Sequence, residues 1–126
     1  MERIDTAQAK AAVLIEALPY IQGFRDAIVL IKLGGSVMEA EDSLDSIMDD
    51  VAFLNSFGIT VAIVQGGGKA ISRAIKASGH EPKFVGGLRV TDEATMEIVR
   101  KTLNNIVNPD IVQRLRNRGE IGRAHV

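Results

Sequence analysis

Residues 61–72 read VAIVQGGGKAIS, and their interpretation decides the fold. An apolar, β-branched run over 59–65 has the composition of a strand buried on both faces. Gly66, Gly67 and Gly68 follow it, and then a helical pattern, AISRAIKAS, closed by Gly79. A tight turn needs one glycine. Three together suggest that something must come close to this backbone, because a residue without a Cβ is the one that permits it.

Working outward, AIVLIKL (27–33) is a second continuous run of the same kind, and GGS after it reads as a loop. Leu44, Ile47, Met48, Val51 and Leu54 recur at helical spacing, with Gly58 as a stop. Upstream, Asp5 is expected to cap a helix through Leu18, with Gln8 three residues on and Pro19 ending it. Val13, Leu14, Ala17 and Leu18 give that helix an apolar face. Downstream, PKFVGGLRV (82–90) predicts a hairpin about Gly86 and Gly87. Thr91 or Asp92 caps a helix with Glu93 in its first turn and Met96, Val99, Leu103 and Ile106 on its face. Asn108-Pro109 reads as a new cap and first turn, opening a final helix to Gly119. Strands alternating with helices imply a three-layer α/β/α arrangement with a mainly parallel sheet. Two core strands and a hairpin make a thin sheet, so more strands are expected, and the chain reads as truncated after about the first half.

Composition excludes several classes. A formal net charge of −1 gives no electrostatic case for nucleic acid or an anionic membrane surface. There is no cysteine, hence no disulfide or thiolate chemistry. His80 and His125 are too far apart in sequence to make a metal site alone. No run approaches the roughly 18–20 apolar residues of a membrane span, and the N-terminus has no signal-peptide core. The expectation is a soluble cytoplasmic protein.

The two glycine loops, at 34–35 and 66–68, each follow a buried strand, and open α/β sheets bind ligands at such carboxyl ends. Backbone N–H groups freed of side chains, with a helix N-terminus behind them, suit an anion such as phosphate. A P-loop does not fit, because Val64 stands where its first glycine should be and Ala70 follows Lys69. The dinucleotide fingerprint fails at Ile71. The plainer reading is that the glycines only make tight turns. Lys32, inside VLIKLGG, is either an edge or snorkelling residue or a cation aimed at a transferring phosphoryl group.

IKLGGS, VQGGGKAI and FVGGLRVTDEATMEIV together resemble the amino-acid kinase family, and within it the branch that phosphorylates acetylglutamate. The resemblance covers roughly residues 8–118, and GGLRVTDEATMEIV is its most specific part. It implies ATP with Mg2+ as co-substrate and the γ-carboxylate of N-acetyl-L-glutamate as acceptor, giving an acyl phosphate for arginine biosynthesis. It implies that Lys32 is catalytic, bridging the phosphates, and that Gly34 and Gly35 face the transferred phosphoryl. By the same resemblance Gly66, Gly67 and Gly68 hold the γ-carboxylate, Arg89 clamps the α-carboxylate, and residues 80–88 form a lid. LIEALPYIQGF (14–24) is similar to the extra helix through which some members assemble, so a homo-oligomer, dimer or hexamer, is implied. Gln65 and Lys69 replace the family's His and Pro, and Leu33 and Ser36 replace Tyr and Asn. A related acyl amino acid such as acetylaminoadipate, or a non-catalytic nucleotide- or anion-binding α/β module, are the alternatives.

The expected organisation is an N-terminal amphipathic helix and linker over 1–24, an acetylglutamate-binding lobe over 25–120, and a non-native tail over 121–126. IGRAHV at 121–126 resembles the in-frame translation of a sequencing-library adapter and lacks the apolar run of a third core strand. His80, the basic stripe Lys69, Arg73 and Lys76, and the arginines Arg114, Arg116 and Arg118 are expected to face solvent, with Lys69 at the helix start the one member of the stripe placed to meet an anion.

Overall fold

In the computed structural model, which describes residues 2–119, the chain runs through six helices, a parallel strand pair and a hairpin. Helix α1 spans Glu2–Phe24, strand β1 Ile28–Leu33, the short α2 Gly35–Glu39, α3 Glu41–Ser56, β2 Thr60–Gln65 and α4 Gly68–Ala77. The hairpin strands are β3, Phe84–Val85, and β4, Leu88–Arg89. Helix α5 (Glu93–Thr102) continues through a π turn, Leu103–Val107, into α6, Asn108–Arg116. Residues 121–126, expected to be a non-native tail, lie outside the described residues. No helix among the described residues is long and apolar enough to cross a membrane.

β1 and β2 pair in parallel from Ile28 opposite Thr60 to Leu33 opposite Gln65. Their 26-residue separation (from Leu33 to Thr60) is crossed by α2 and α3, as a parallel pair requires. Ile31, Leu33, Val61 and Ile63 pack against Leu44, Met48 and Val51 of α3 and Ile111 and Leu115 of α6. Met48 has no exposed surface at all. The expectation of strands buried on both faces is corrected here: burial alternates along both strands, and Ile28 and Leu30 are 77% and 67% exposed. A continuous apolar run cannot reveal which face a chain covers with its own helices. The sheet and one helical layer of the expected three-layer arrangement are therefore in place, and the opposite face of the sheet is open.

The hairpin forms as expected, but as a sheet of its own. Gly86 and Gly87 have φ of 56° and 79°. Two positive φ values at the centre of a two-residue loop suit the right-handed twist of the flanking strands. Phe84 thereby comes opposite Arg89.

Three helical expectations are corrected. Helix α1 begins at Glu2, before Asp5, and runs through Pro19 to Phe24. A proline removes its own donation to the carbonyl of Ile15, and no further breaker follows until Gly23. Of the expected apolar face of α1, Val13, Leu14 and Leu18 are exposed and Ala17 is half-buried. GGS is not wholly a loop, because Gly35 and Ser36 open α2.

Asn108 does not start a new helix. It has helical φ and ψ of −65° and −47° and the rod from Glu93 to Arg116 is unbroken. Pro109 lacks an N–H and its ring crowds the carbonyl of Asn105 four residues back. The wider π turn lies over that carbonyl and relieves the conflict. The extra residue also rotates the helix phase. Val107 is 5% exposed and Ile106 60% exposed, the reverse of what an unbroken 3.6-residue period predicts. Asp92 does cap α5, accepting from the Thr95 amide at 2.8 Å.

The expectation that Arg114 and Arg118 face solvent is also overturned, while Arg116 is exposed. Arg114, its side chain 15% exposed, donates to Asp45 at 2.8 Å, to Asp110 at 3.1 Å and to Glu41. Arg118 pairs with Asp49 and Asp45 and also donates to the Asp45 carbonyl at 3.0 Å. Apart from the i,i+4 pair with Asp110 inside α6, these contacts lock α6 and the residues just after it to the acidic face of α3, and they join residues distant in sequence that no local pattern links. Hydrogen bonding from Arg114 is the main reason the Asp45 carboxyl is held below its usual pKa.

Candidate functional site

The strand pair ends with Leu33 opposite Gln65, so both glycine loops leave the same edge of the sheet. The Gly66 amide donates to the Leu33 carbonyl at 3.0 Å and fastens the second loop to the end of the first strand. Beyond it Gly67 precedes α4, whose free N–H groups open towards the loop. A cleft of about 160 Å³ lies between the loops, lined by Gly35, Met38, Gly67, Gly68, Lys69 and Ile106 among others. The two loops singled out in the sequence thus share one cleft.

None of the five glycines at 34, 35, 66, 67 and 68 has a positive φ. Gly34 is extended at φ −84° and ψ 169°, and Gly67 has φ −161°. Neither lies in the left-handed region that favours glycine, so a positive-φ turn does not account for the glycines. Space separates them into groups. A Cβ on Gly34, Gly35 or Gly68 would meet nothing within 4 Å, and one on Gly66 would touch the Leu33 carbonyl at an ordinary 3.6 Å. A Cβ on Gly67 would lie 2.8 Å from Leu103 Cδ2 and 3.4 Å from Val107 Cγ2. At that position the crowding comes from the chain's own π turn.

Arg89 reaches back from the hairpin to the second loop. Its Nη2 donates to the Gly68 carbonyl at 3.0 Å and to Ser72 Oγ at 2.8 Å. Its guanidinium lies 4.6 Å over the ring of Phe84, its cross-strand neighbour. Its Nη1 is buried without a hydrogen-bond partner among the described residues. A buried guanidinium N–H left unpaired is costly; Arg89 is anchored through Nη2 while Nη1 stays unsatisfied. Ser72 and Phe84 were not anticipated from the sequence. Ser72 lies one helical turn after Gly68, and Phe84 follows from the hairpin register, so both signals were available.

Lys32 is exposed, on the same open face as Ile28 and Leu30, two residues before Gly34. It bears none of the desolvation that a buried strand lysine would. Glu39 and Arg73 pair at 3.0 Å across the mouth of the cleft and tie α2 to α4. The Arg73 hydrogen bond is the chief cause that holds the Glu39 carboxyl below its usual pKa. Arg73 faces solvent as expected, 67% exposed, while making this surface pair. Lys69 and His80 are exposed, the latter 3.1 Å from Ser78 Oγ through Nδ1.

Residues 27–123 match the model of the amino acid kinase family. The acetylglutamate kinase of Akkermansia muciniphila is 44% identical over 113 residues, which are 90% of this chain and 38% of that protein. The acetylglutamate kinase of Brachyspira hyodysenteriae is 45% identical over 119 residues, 94% of this chain and 41% of that one. Among solved structures, N-acetylglutamate synthase from Neisseria gonorrhoeae, complexed with coenzyme A and L-arginine, superposes with a TM-score of 0.63. That match covers 91% of this chain and 27% of the synthase at 24% identity, and it speaks to fold alone. The chain spans about two fifths of the length of the curated relatives it matches.

Proposed function

Because the chain belongs to the amino acid kinase family, we propose that it supplies the substrate-binding half of a kinase acting on N-acetyl-L-glutamate. The reaction is ATP-dependent phosphorylation of the γ-carboxylate in arginine biosynthesis. A γ-carboxylate oxygen attacks the terminal phosphorus of ATP, the bond to ADP breaks, and an acyl phosphate forms. The observation that carries the reading is Arg89: anchored on Gly68 and Ser72 through Nη2, it keeps a buried, unpaired Nη1 beside the glycine loop. A planar cation with a spare N–H there suits a carboxylate, which accepts paired hydrogen bonds from guanidinium.

In this reading Arg89 takes the α-carboxylate. The N–H groups of Gly67 and Gly68 turn towards the γ-carboxylate and the arriving phosphoryl, helped by the positive end of α4, while the Gly66 N–H, expected to join them, is spent on the Leu33 carbonyl and holds the loop in place. Gly34 and Gly35 face the phosphoryl from the opposite loop, and Lys32 offsets charge that develops on it. Among the described residues no group of three or more His, Cys, Asp or Glu could hold a metal. Mg2+ is proposed to arrive on the phosphates of ATP, where it would neutralise charge during transfer. A cytoplasmic setting and a homo-oligomeric whole protein, assembled through α1, belong to the same proposal.

The test is titration of the chain with N-acetyl-L-glutamate, followed by the amide NMR signals of residues 66–69 and the Arg89 side-chain signal. Saturable shifts at both, weaker with N-acetyl-L-aminoadipate and absent with N-acetylglycine, are expected. Shifts with ATP alone and none with acetylglutamate sink the assignment in favour of a nucleotide-binding module. Tighter binding of the aminoadipate compound transfers the role to the longer substrate.

A further inference from the structure

The three consecutive glycines do not share one purpose. Gly67 has φ −161° and ψ 23°, outside the left-handed region. A Cβ there would fall 2.8 Å from Leu103 Cδ2, 3.4 Å from Val107 Cγ2 and 3.6 Å from Ile71 Cδ1. Gly68, one residue on, has open space where its Cβ would be. Leu103 and Val107 are the first and last residues of the π turn, and the wider turn is what directs Val107 inward.

We infer that Leu103 is a positioning residue for the second glycine loop: its methyl fills the space of the missing Gly67 side chain, so the π turn sets the position of the loop while Gly68 is left open to the ligand. The inference deepens the acetylglutamate reading and rests on it for the identity of the ligand, but the packing relation is independent of it. The physical reason is close packing. Leu103 is half-buried, and a contact at 2.8 Å cannot take an added methyl without one side moving. Leu103 sits on a helical rod held at its far end by Ile111 and Leu115, which belong to the main core. The side chain of Leu103 must therefore yield, or the loop must. A loop that presents N–H groups to an anion loses affinity when displaced by a fraction of an ångström.

The experiment is a double-mutant cycle on the full chain with Gly67→Ala, Leu103→Ala and both, with Gly68→Ala as comparison. Thermal unfolding without ligand reads the packing, and N-acetyl-L-glutamate titration by amide NMR reads the site. Gly67→Ala is expected to lower the melting midpoint by about 3–5 °C. In the Leu103→Ala background the same substitution should cost less than about 1 °C, because the clashing atoms are gone. Affinity should fall roughly tenfold in Gly67→Ala and recover most of that loss in the double variant, relative to Leu103→Ala. Gly68→Ala should weaken binding without moving the ligand-free midpoint. An equal thermal cost of Gly67→Ala in both backgrounds overturns the inference. Packing coupling with no recovery of affinity overturns the positioning role. If Gly67→Ala does not fold, recovery of a folded double variant supports the inference and continued failure overturns it. If no form binds acetylglutamate, the thermal cycle still decides the packing relation, and only the functional reading fails.

Discussion

Replacing Arg89 with lysine tests the carboxylate clamp most directly, provided the ligand is altered as well. The guanidinium spends Nη2 on the Gly68 carbonyl and on Ser72, at 3.0 and 2.8 Å, and holds Nη1 in reserve. A lysine has one ammonium to divide between those anchors and the ligand, and it cannot lie flat over Phe84 as guanidinium does at 4.6 Å. A hydrogen bond between charged groups contributes about 1.5–3 kcal/mol. The affinity of Arg89→Lys for N-acetyl-L-glutamate should therefore fall by roughly 10- to 150-fold. Isothermal titration with N-acetyl-L-isoglutamine, whose α-carboxylate is an amide, completes the cycle. The native chain should lose a similar factor on that change of ligand, and the lysine variant only a small part of it. If both proteins lose the same factor to within about twofold, Arg89 does not read the α-carboxylate.

Three other outcomes follow from the geometry. Lys32→Ala in a full-length relative carrying these motifs should reduce kcat by about 10²–10³ with little change in KM, and a kcat within about twofold of native removes the phosphoryl role. Met48→Ala, at a position with no exposed surface, should destabilise the chain by about 2–5 kcal/mol in urea unfolding, and a loss below about 1 kcal/mol would contradict the core assigned here. Asp45 has its folded pKa lowered from 3.8, chiefly by Arg114, so its contribution is complete above the unfolded value and is lost as pH falls through the folded one. Asp45→Asn should accordingly flatten the acid limb of the stability profile below about pH 4, and an unchanged limb followed by circular dichroism refutes that role.

Much of the fold was legible because local chemistry and tertiary structure agree. The β-branched runs gave both strands, the spacing of Leu44, Met48 and Val51 gave α3, and Gly86-Gly87 gave the hairpin. The failures arise where the decisive partner is distant or the deviation is subtle. Nothing in AIVLIKL tells which of its faces is covered. Asn-Pro reads as a helix start, and a π turn that accommodates the proline has no sequence signature. Arg114 looks solvated until α6 is laid on α3, 69 residues away from Asp45. At the site, the loops could be found from their places after the strands, whereas the role of Arg89 came from resemblance. Its anchoring on Gly68 and Ser72 needed the hairpin folded back over α4.

The unbroken rod from Glu93 to Arg116 has a mechanical consequence. Twenty-four residues at about 1.5 Å each make a beam of about 36 Å. A capped break at Asn108 would have placed a hinge in it, and each half could then swing independently. Without that hinge, the beam bears on Gly67 near its middle and is bolted to α3 near its end by Arg114, with Arg118 just beyond. A tilt imposed at the bolted end is delivered at the glycine loop, with the π turn as the bearing point.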